Sequence, residues 1–306
     1  MSSVLVSVCV ITYNHCNYIR QCLDGILMQQ TSFSFEIIIN DDCSTDGTTE
    51  IIKEYVTKYP DIIRPIFHEE NQYSKGVRGM FANFCFPRAI GKYIALCEGD
   101  DYWTDSLKLQ RQVDFLNKYP KYILTSHAFD TQLSSSGEIM RSADISGFSY
   151  SITNYVKGEW CCSTLSVVFR ASALENINYP ITMDVVLFYA LLKQGDGYCL
   201  KENMAIYRVH EGGVWSSIDM NTRNATDFDV RLSIYNEEKS EYAAVLVLGL
   251  YTKVISRKWM IRNPKRVLRT ICVLVRHYGL QFTCKILFMK MCFNDRLSFD
   301  RATFIL

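Results

Sequence analysis

Four acidic residues fall within the nine positions of "CEGDDYWTD", Cys97–Asp105, directly behind the apolar run "KYIAL". A buried strand that ends in so much negative charge is either a solvated turn or a seat for something positive. Carboxylates without Cys or His partners suit a hard divalent cation, Mn2+ or Mg2+. Such an ion takes one or two carboxylates and fills its other positions with phosphate oxygens and water. Glu98, Asp100 and Asp101 could hold it, and a metal bridging a diphosphate would neutralise charge on a phosphate leaving group. Two more polar groups follow apolar runs: Thr12-Tyr13-Asn14, and "DDCSTD" at Asp41–Asp46. Asp41 or Asp42 could accept a hydrogen bond from a base N–H or a ribose hydroxyl, and Tyr13 offers a ring face or hydroxyl. Taken alone, "DDCSTDG" reads first as a capped turn.

For these groups to meet, the elements that carry them must lie side by side. "VLVSVCVI", "FEIIIN", "DIIRPIF", "KYIALC" and "YILTSHAF" are short apolar runs that read as buried strands. Between them, Ile19, Cys22, Leu23, Ile26 and Leu27 recur at helical spacing, as do Ile51, Ile52, Tyr55 and Val56, with Asp46 as the expected N-cap. A helix is also expected around Met80–Ala89, and another at Leu109, Val113 and Leu116. Strand–helix alternation predicts an α/β fold with a mostly parallel, Rossmann-like sheet and helices on both faces. Ligands bind at the carboxyl ends of the strands in such sheets, where all three polar groups fall. Neither GxGxxG nor GxxxxGK[ST] is present, which disfavours a dinucleotide cradle and excludes a P-loop. From Ser134 the pattern becomes mixed, and "MDVVLFYALLKQG" reads as a helix. After about Asn224 the chain reads helical, with a new helix starting at Pro264.

"VSVCVITYNHCNYIRQCLDGILMQQ", "FEIIINDDCSTDGT" and "GKYIALCEGDDYWTD", in that order, resemble the family 2 glycosyltransferases of GT-A fold. The resemblance covers roughly residues 4–215. It implies a GT-A catalytic domain over 1–224, with a nucleotide-sugar half at 1–130 and an acceptor half at 131–224. A basic helical region follows at 225–306. It further implies that Thr12, Tyr13, Asn14, Asp41, Asp42, Asp100 and Arg78 contact the nucleotide diphosphate. The metal ligands it implies are Glu98, Asp100, Asp101 and His210, the last from "YRVHEGGVWS". Asp184, opening a helix, takes the place of the catalytic base, where a carboxylate can deprotonate an attacking hydroxyl; on the residues alone it reads as a helix N-cap. The implied reaction is inverting single displacement from a nucleotide diphosphate sugar, by family frequency a UDP-sugar. The implied acceptor is a glycan or lipid-linked hydroxyl in surface polysaccharide synthesis. A sugar-1-phosphate nucleotidyltransferase and a non-catalytic nucleotide-sugar-binding scaffold are the alternatives. Lys75, Asn71, His127, Arg208 and Trp215 are secondary candidates, each also readable as structural.

Composition sets the outer bounds. With 306 residues, 48% apolar and 21% charged, the chain is a folded globular protein of one large or two ordinary domains. The net charge of +1 is uneven: Lys253–Arg301 holds twelve Lys or Arg against two acids, so the remainder carries nine net negative charges. An amphipathic basic segment of this kind reads as a membrane-surface element at 253–301, with self-association or another partner as the other readings. No nucleic-acid motif accompanies it. No run reaches the ~18 apolar residues of a membrane span. Twelve cysteines without CxxC spacing, and an opening "MSSVLVSVCVITYN" that reads as a strand, predict a reducing cytoplasmic setting, peripheral at the inner face of a membrane.

Overall fold

The computed structural model describes residues 4–142, 146–159, 162–213, 218–254 and 261–293. They form two compact units, the first from residues up to 151 and 161–211, the second from 152–160 and 212 onward. The division expected at 224 therefore falls inside a helix of the second unit, and a short helix from the middle of the chain joins that unit as well.

The first unit is built on a ten-stranded sheet. Its parallel part runs β3 (Ile63–Phe67), β2 (Ser34–Asp41), β1 (Val4–Thr12), β4 (Tyr93–Glu98). The sheet continues through β9 (Val168–Arg170), antiparallel to both its neighbours, to β6 (Tyr122–Leu133) and then β10 (Asp196–Val209), which is parallel to β6. Two reversals leave β10 pointing the same way as β4, so the last residues of both strands reach one edge. The two-residue β5 (Tyr102–Trp103) closes the path against β10, β7 (Ile139–Met140) pairs with β6, and β8 (Phe148–Tyr150) with β10.

The apolar runs form strands because both sheet faces are buried. Val6, Val8 and Val10 on one face of β1 pack with Ile37, Ile39, Ala95 and Cys97 and with Ile19, Leu23 and Ile26 of α1 (Ile19–Leu27). On the other face Cys9 meets Cys85, in a π-helical turn at Phe81–Cys85. The helix expected over Met80–Ala89 is this turn, followed by a 3-10 turn at Phe86–Arg88, because Pro87 cannot supply an interior amide donor. Each buried Ile or Leu contributes about 1.5–3 kcal/mol, so these few residues dominate the unit's stability. Helix α2 (Thr48–Lys58) starts one residue later than expected. Gly47 occupies the cap position, while Asp46 Oδ1 accepts from Thr48 N at 3.0 Å.

α3 (Lys108–Lys118) carries a residue that pattern reading would place outside. Lys108 is fully buried, its Nζ donating to Gln112 Oε1 at 2.9 Å and standing 3.9 Å from the Trp103 ring centre. α5 (Asp184–Leu192) is buried on every side from Val185 to Leu192, and Asp184 is the charge at its head. Met183 holds the cap position and gives no side-chain cap, so Asp184 is the first helical residue rather than the N-cap.

In the second unit α4 (Ile152–Val156) packs with α7 (Glu241–Val254), which also contacts α6 (Met220–Glu238) and α8 (Pro264–Phe293). Asp219 caps α6, accepting from Asn221 N and Thr222 N at 2.9 and 3.2 Å. The apolar run of α7 supplies the core of this unit, with Ala243, Ala244, Leu246, Val247 and Leu248 buried. α8 is broken at Gly279. Among the described residues no helix is long and apolar enough to cross a membrane.

Candidate functional site

The carboxyl ends of β1, β2 and β4 form one edge because their registers align. Thr12 pairs with Asp41, and Ile11 with Glu98. Backbone bonds lace the three following loops together: Asp42 N to Thr12 O at 3.0 Å, and Gly99 N to Ile11 O at 2.9 Å. The turn after Glu98 is tight. A Cβ on Gly99 would stand 2.7 Å from Thr12 Oγ1 and 3.1 Å from His15 Nδ1, so only glycine lets β4's loop close on that of β1.

The edge gathers His15, Asp100 and His210, the one group of three potential metal ligands found among the described residues; their ligand atoms lie within 4.8 Å of one another. His210 Nε2 is 3.0 Å from Asp100 Oδ2, and His15 Nε2 is 3.7 Å from the same oxygen. β10 delivers His210, and Arg208 anchors that delivery. Arg208 N donates to Asp101 Oδ1 at 2.8 Å and its Nη1 to Asp100 O at 2.6 Å, while the guanidinium lies over the Tyr102 ring at 4.3 Å and Tyr18 at 5.1 Å. Its Nη2 reaches Gln21 Oε1. Arg208 thus organises the acidic turn from within.

Electrostatics separate the carboxylates. Burial raises the pKa of Asp100, but the His210 hydrogen bond and the charges of His15 and His210 outweigh it and hold this carboxyl below its ordinary range. Burial lowers His15, which favours the neutral imidazole a metal requires. Glu98 goes the other way: burial and the Asp100 charge push it up to about 8, against a hydrogen bond from Thr164 Oγ1 at 2.7 Å, with Asp184 adding to the rise. Burial, then Glu98 and Asp100, also drive Asp101 well above its usual value.

Of the expected ligand set, Glu98, Asp100, Asp101 and His210, the structure brings two side chains into contact. Asp100 and His210 converge, Glu98 turns to Thr164, and Asp101 faces the Arg208 backbone. His15 stands beside this pair, its Nε2 3.7 Å from Asp100 Oδ2. It sits three residues past the end of β1, inside "TYNHCNY", and that proximity was its only signal.

The residues expected around a nucleotide divide in the same way. Asp41 is buried within its own turn, accepting from Ser44 Oγ at 2.5 Å and from the Thr49 hydroxyl. Asp42, also buried, receives Gln72 N at 2.7 Å and Tyr73 N at 3.0 Å. Asn14 takes a left-handed φ of 55° and ties the first two loops, its N donating to Ser44 Oγ and its Oδ1 accepting from Thr45 N, both at 2.8 Å. Tyr13 is exposed. Arg78 folds over the Tyr73 ring at 4.0 Å. Lys75 pairs with Glu70, and Asn71 holds Ser74 and Asp42. His127 is buried, its Nδ1 2.7 Å from Ala128 O, so it belongs to the core rather than to a cleft. Trp215 lies outside the described residues.

Three buried polar atoms bordering this edge have no hydrogen-bond partner: Thr12 Oγ1, His15 Nδ1 and Asp101 Oδ2. Buried polar groups are almost always satisfied, so their clustering marks a place built to receive a polar guest. Two imidazole nitrogens and a carboxylate oxygen fit a divalent ion of intermediate softness such as Mn2+ better than Mg2+, which prefers oxygen throughout.

Known proteins share both sequence and architecture with this chain. A protein of Mycobacterium tuberculosis is 35% identical over 223 residues, 69% of this chain, and the match spans 61% of that relative's length. Escherichia coli WfaP, a UDP-Glc:alpha-D-GlcNAc-diphosphoundecaprenol beta-1,3-glucosyltransferase, is 29% identical over 226 residues, covering 69% of this chain and 79% of WfaP. The crystal structure of Staphylococcus aureus TarS 1-349 with UDP-GlcNAc superposes with a TM-score of 0.64 at 20% identity, over 89% of this chain and 80% of TarS 1-349, and so shares its fold. The ends of β1, β2 and β4 and the acidic turn lie within residues 7–176, which match the pattern of Glycosyl transferase family 2, and the chain belongs to that family of transferases.

Proposed function

We propose that this glycosyltransferase moves a sugar from a nucleoside diphosphate donor, UDP in preference to GDP, to a hydroxyl of a glycan or lipid-linked acceptor in surface polysaccharide synthesis. The observation that carries this reading is the convergence of His15, Asp100 and His210 at the sheet edge that also presents Asp42. His15, Asp100 and His210 hold the divalent ion, Mn2+ by their chemistry. When bound it neutralises negative charge on the departing diphosphate. Each Asp42 oxygen accepts one backbone amide and keeps a lone pair for a base N–H, and Tyr13 offers its exposed ring beside it. Arg78 is placed on the loop that Asp42 organises, where its guanidinium can swing from Tyr73 to phosphate.

Asp184 acts as the base. It takes the proton of the acceptor hydroxyl as that oxygen attacks the anomeric carbon from the side opposite the diphosphate, which leaves with its bonding pair and inverts the centre. Glu98 accepts from Thr164 Oγ1 at 2.7 Å and is read here as a support of the turn rather than a ligand. The sequence relatives that match this chain include a transferase named for a diphosphoundecaprenol acceptor, which supports a lipid-linked acceptor here.

The second unit supports a location at an anionic membrane surface. Tyr242–Asn294 contains ten Lys or Arg and no acid. Along α8, Lys265, Leu268, Arg269, Cys272 and Arg276 form an exposed stripe at helical spacing.

Calorimetric titration of UDP and GDP with Mn2+ and then with EDTA, followed by a panel of UDP-sugars, tests the reading. UDP binding that needs the metal is expected. A folded protein that binds neither nucleotide would overturn the assignment.

A further inference from the structure

The loop at residues 71–79 spans from Asp42 to the approach to α5. At its start Gln72 N, Tyr73 N and Asn71 Nδ2 all donate to Asp42. Along it, Arg78 Nη1 donates to the carbonyls of Tyr73 and Val77 at 2.9 and 3.0 Å, so the loop is closed on itself. At its end Gly79, with φ 72°, turns against Ile181 and Thr182. A Cβ there would stand 1.9 Å from the Ile181 carbonyl oxygen and 3.3 Å from Thr182 Cα. This is backbone against backbone, with no flexible side chain to give way. Asp184 follows two residues later. The body of α5 is fixed by burial; at its head Met183 gives no side-chain cap and Asp184 Oδ1 accepts from Val185 N at 2.7 Å, so the backbone seat at Ile181 and Thr182 is the contact that leads directly into Asp184.

The geometry points to Gly79 as a positioning residue for Asp184. Its bare backbone is the seat against which residues 181–184 are set, so the loop that closes on Asp42 also sets where the base stands. This inference rests on the reading of Asp184 as the base. A misplacement of about 1 Å at a reacting group can cost on the order of 100-fold in rate.

The loop supplies its own control. Gly76, with φ 92°, has the same left-handed backbone but meets nothing within 4 Å of an added Cβ. Gly76→Ala therefore reports backbone strain alone, and Gly79→Ala adds the displaced contact. A third variant, Asn83→Ala, loosens the seat without adding an atom, because Asn83 Nδ2 donates to Arg78 O at 2.6 Å and Gly79 O at 3.2 Å. Measured with UDP-sugar and Mn2+, Gly79→Ala is expected to lower kcat on the order of 100-fold while donor KM stays within about twofold. Asn83→Ala moves kcat the same way by less, and Gly76→Ala keeps it. Hydrogen exchange at the amides of Ile181–Val186 should speed up in Gly79→Ala and not in Gly76→Ala, a readout independent of turnover. Equal kcat in the two glycine variants, or a loss confined to donor KM, would overturn the inference. Should Gly79→Ala not fold, an unchanged kcat and exchange rate in Asn83→Ala would overturn it. A wild type that turns over no nucleotide sugar, yet shows the exchange difference, would keep the seat and sink Asp184 as base.

Discussion

Gly99→Ala perturbs the candidate metal site without removing a ligand atom. The new Cβ would stand 2.8 Å from Thr12 Cβ and 3.1 Å from His15 Nδ1, where ordinary contacts begin at 3.4 Å. Against a contact distance of 3.4 Å, Thr12 Oγ1 at 2.7 Å falls short by about 0.7 Å and His15 Nδ1 at 3.1 Å by about 0.3 Å, so the loop must yield or both side chains must shift. Metal–ligand distances tolerate only about 0.2 Å. Overpacking of this size costs about 1–3 kcal/mol of stability, and disturbed support of a ligand typically lowers metal affinity about 10–100-fold. In free energy that is about 1.4–2.8 kcal/mol. Mn2+ titrated into both proteins by calorimetry, with circular dichroism to confirm the fold and Tm to record the strain, reads both effects at once. The expected result is a folded variant with a modestly lower Tm, Mn2+ affinity down about 10–100-fold, and metal-dependent UDP binding lost in parallel. Unchanged Mn2+ affinity in a variant whose Tm has fallen would show that the strain is absorbed away from His15, and would refute a metal site built against Gly99.

Asp184→Asn should keep metal-dependent UDP affinity and lose at least about 100-fold in kcat, since a positioned base contributes about 10²–10⁴; full turnover would remove Asp184 from the mechanism. Lys108 makes stability pH-dependent. Burial lowers its pKa from 10.5 to about 7, so the unfolded chain binds the extra proton between those values and stability rises with pH across that window. Below pH ~7 the whole cost is present, on the order of 5 kcal/mol from the size of the shift. Lys108→Met, compared with wild type by urea unfolding at pH 6.5, 8 and 9.5, should be the more stable at the lowest pH, with the gap shrinking as pH rises. A gap that does not change with pH would contradict the buried charge. Reversing Lys265, Arg269 and Arg276 to Glu should abolish co-sedimentation with phosphatidylglycerol vesicles and leave turnover of a soluble acceptor intact. Persistent binding by that variant would place any membrane contact elsewhere.

The apolar runs of β1, β2 and β4, the helical spacing of α1 to α3, and the position of three polar groups at strand ends follow from local pattern. Backbone hydrogen bonding and burial act over a few residues, so they leave a period in the sequence. The family resemblance reached further, because the order of the motifs is itself a linear property. Tertiary structure decided the rest. Which carboxylate meets His210 depends on β9 running against its neighbours, so that β10 carries His210 back to Asp100, and no local period encodes a pairing between residues 100 and 210. In "EGDD" Asp100 and Asp101 are the same letter and Glu98 carries the same carboxylate. They part company only because Thr164 and the Arg208 amide, both distant in sequence, arrive at two of the three. The buried Lys108 and the seating of Gly79 on Ile181 are likewise contacts between segments far apart in the chain, where packing overrides the preference of a residue type.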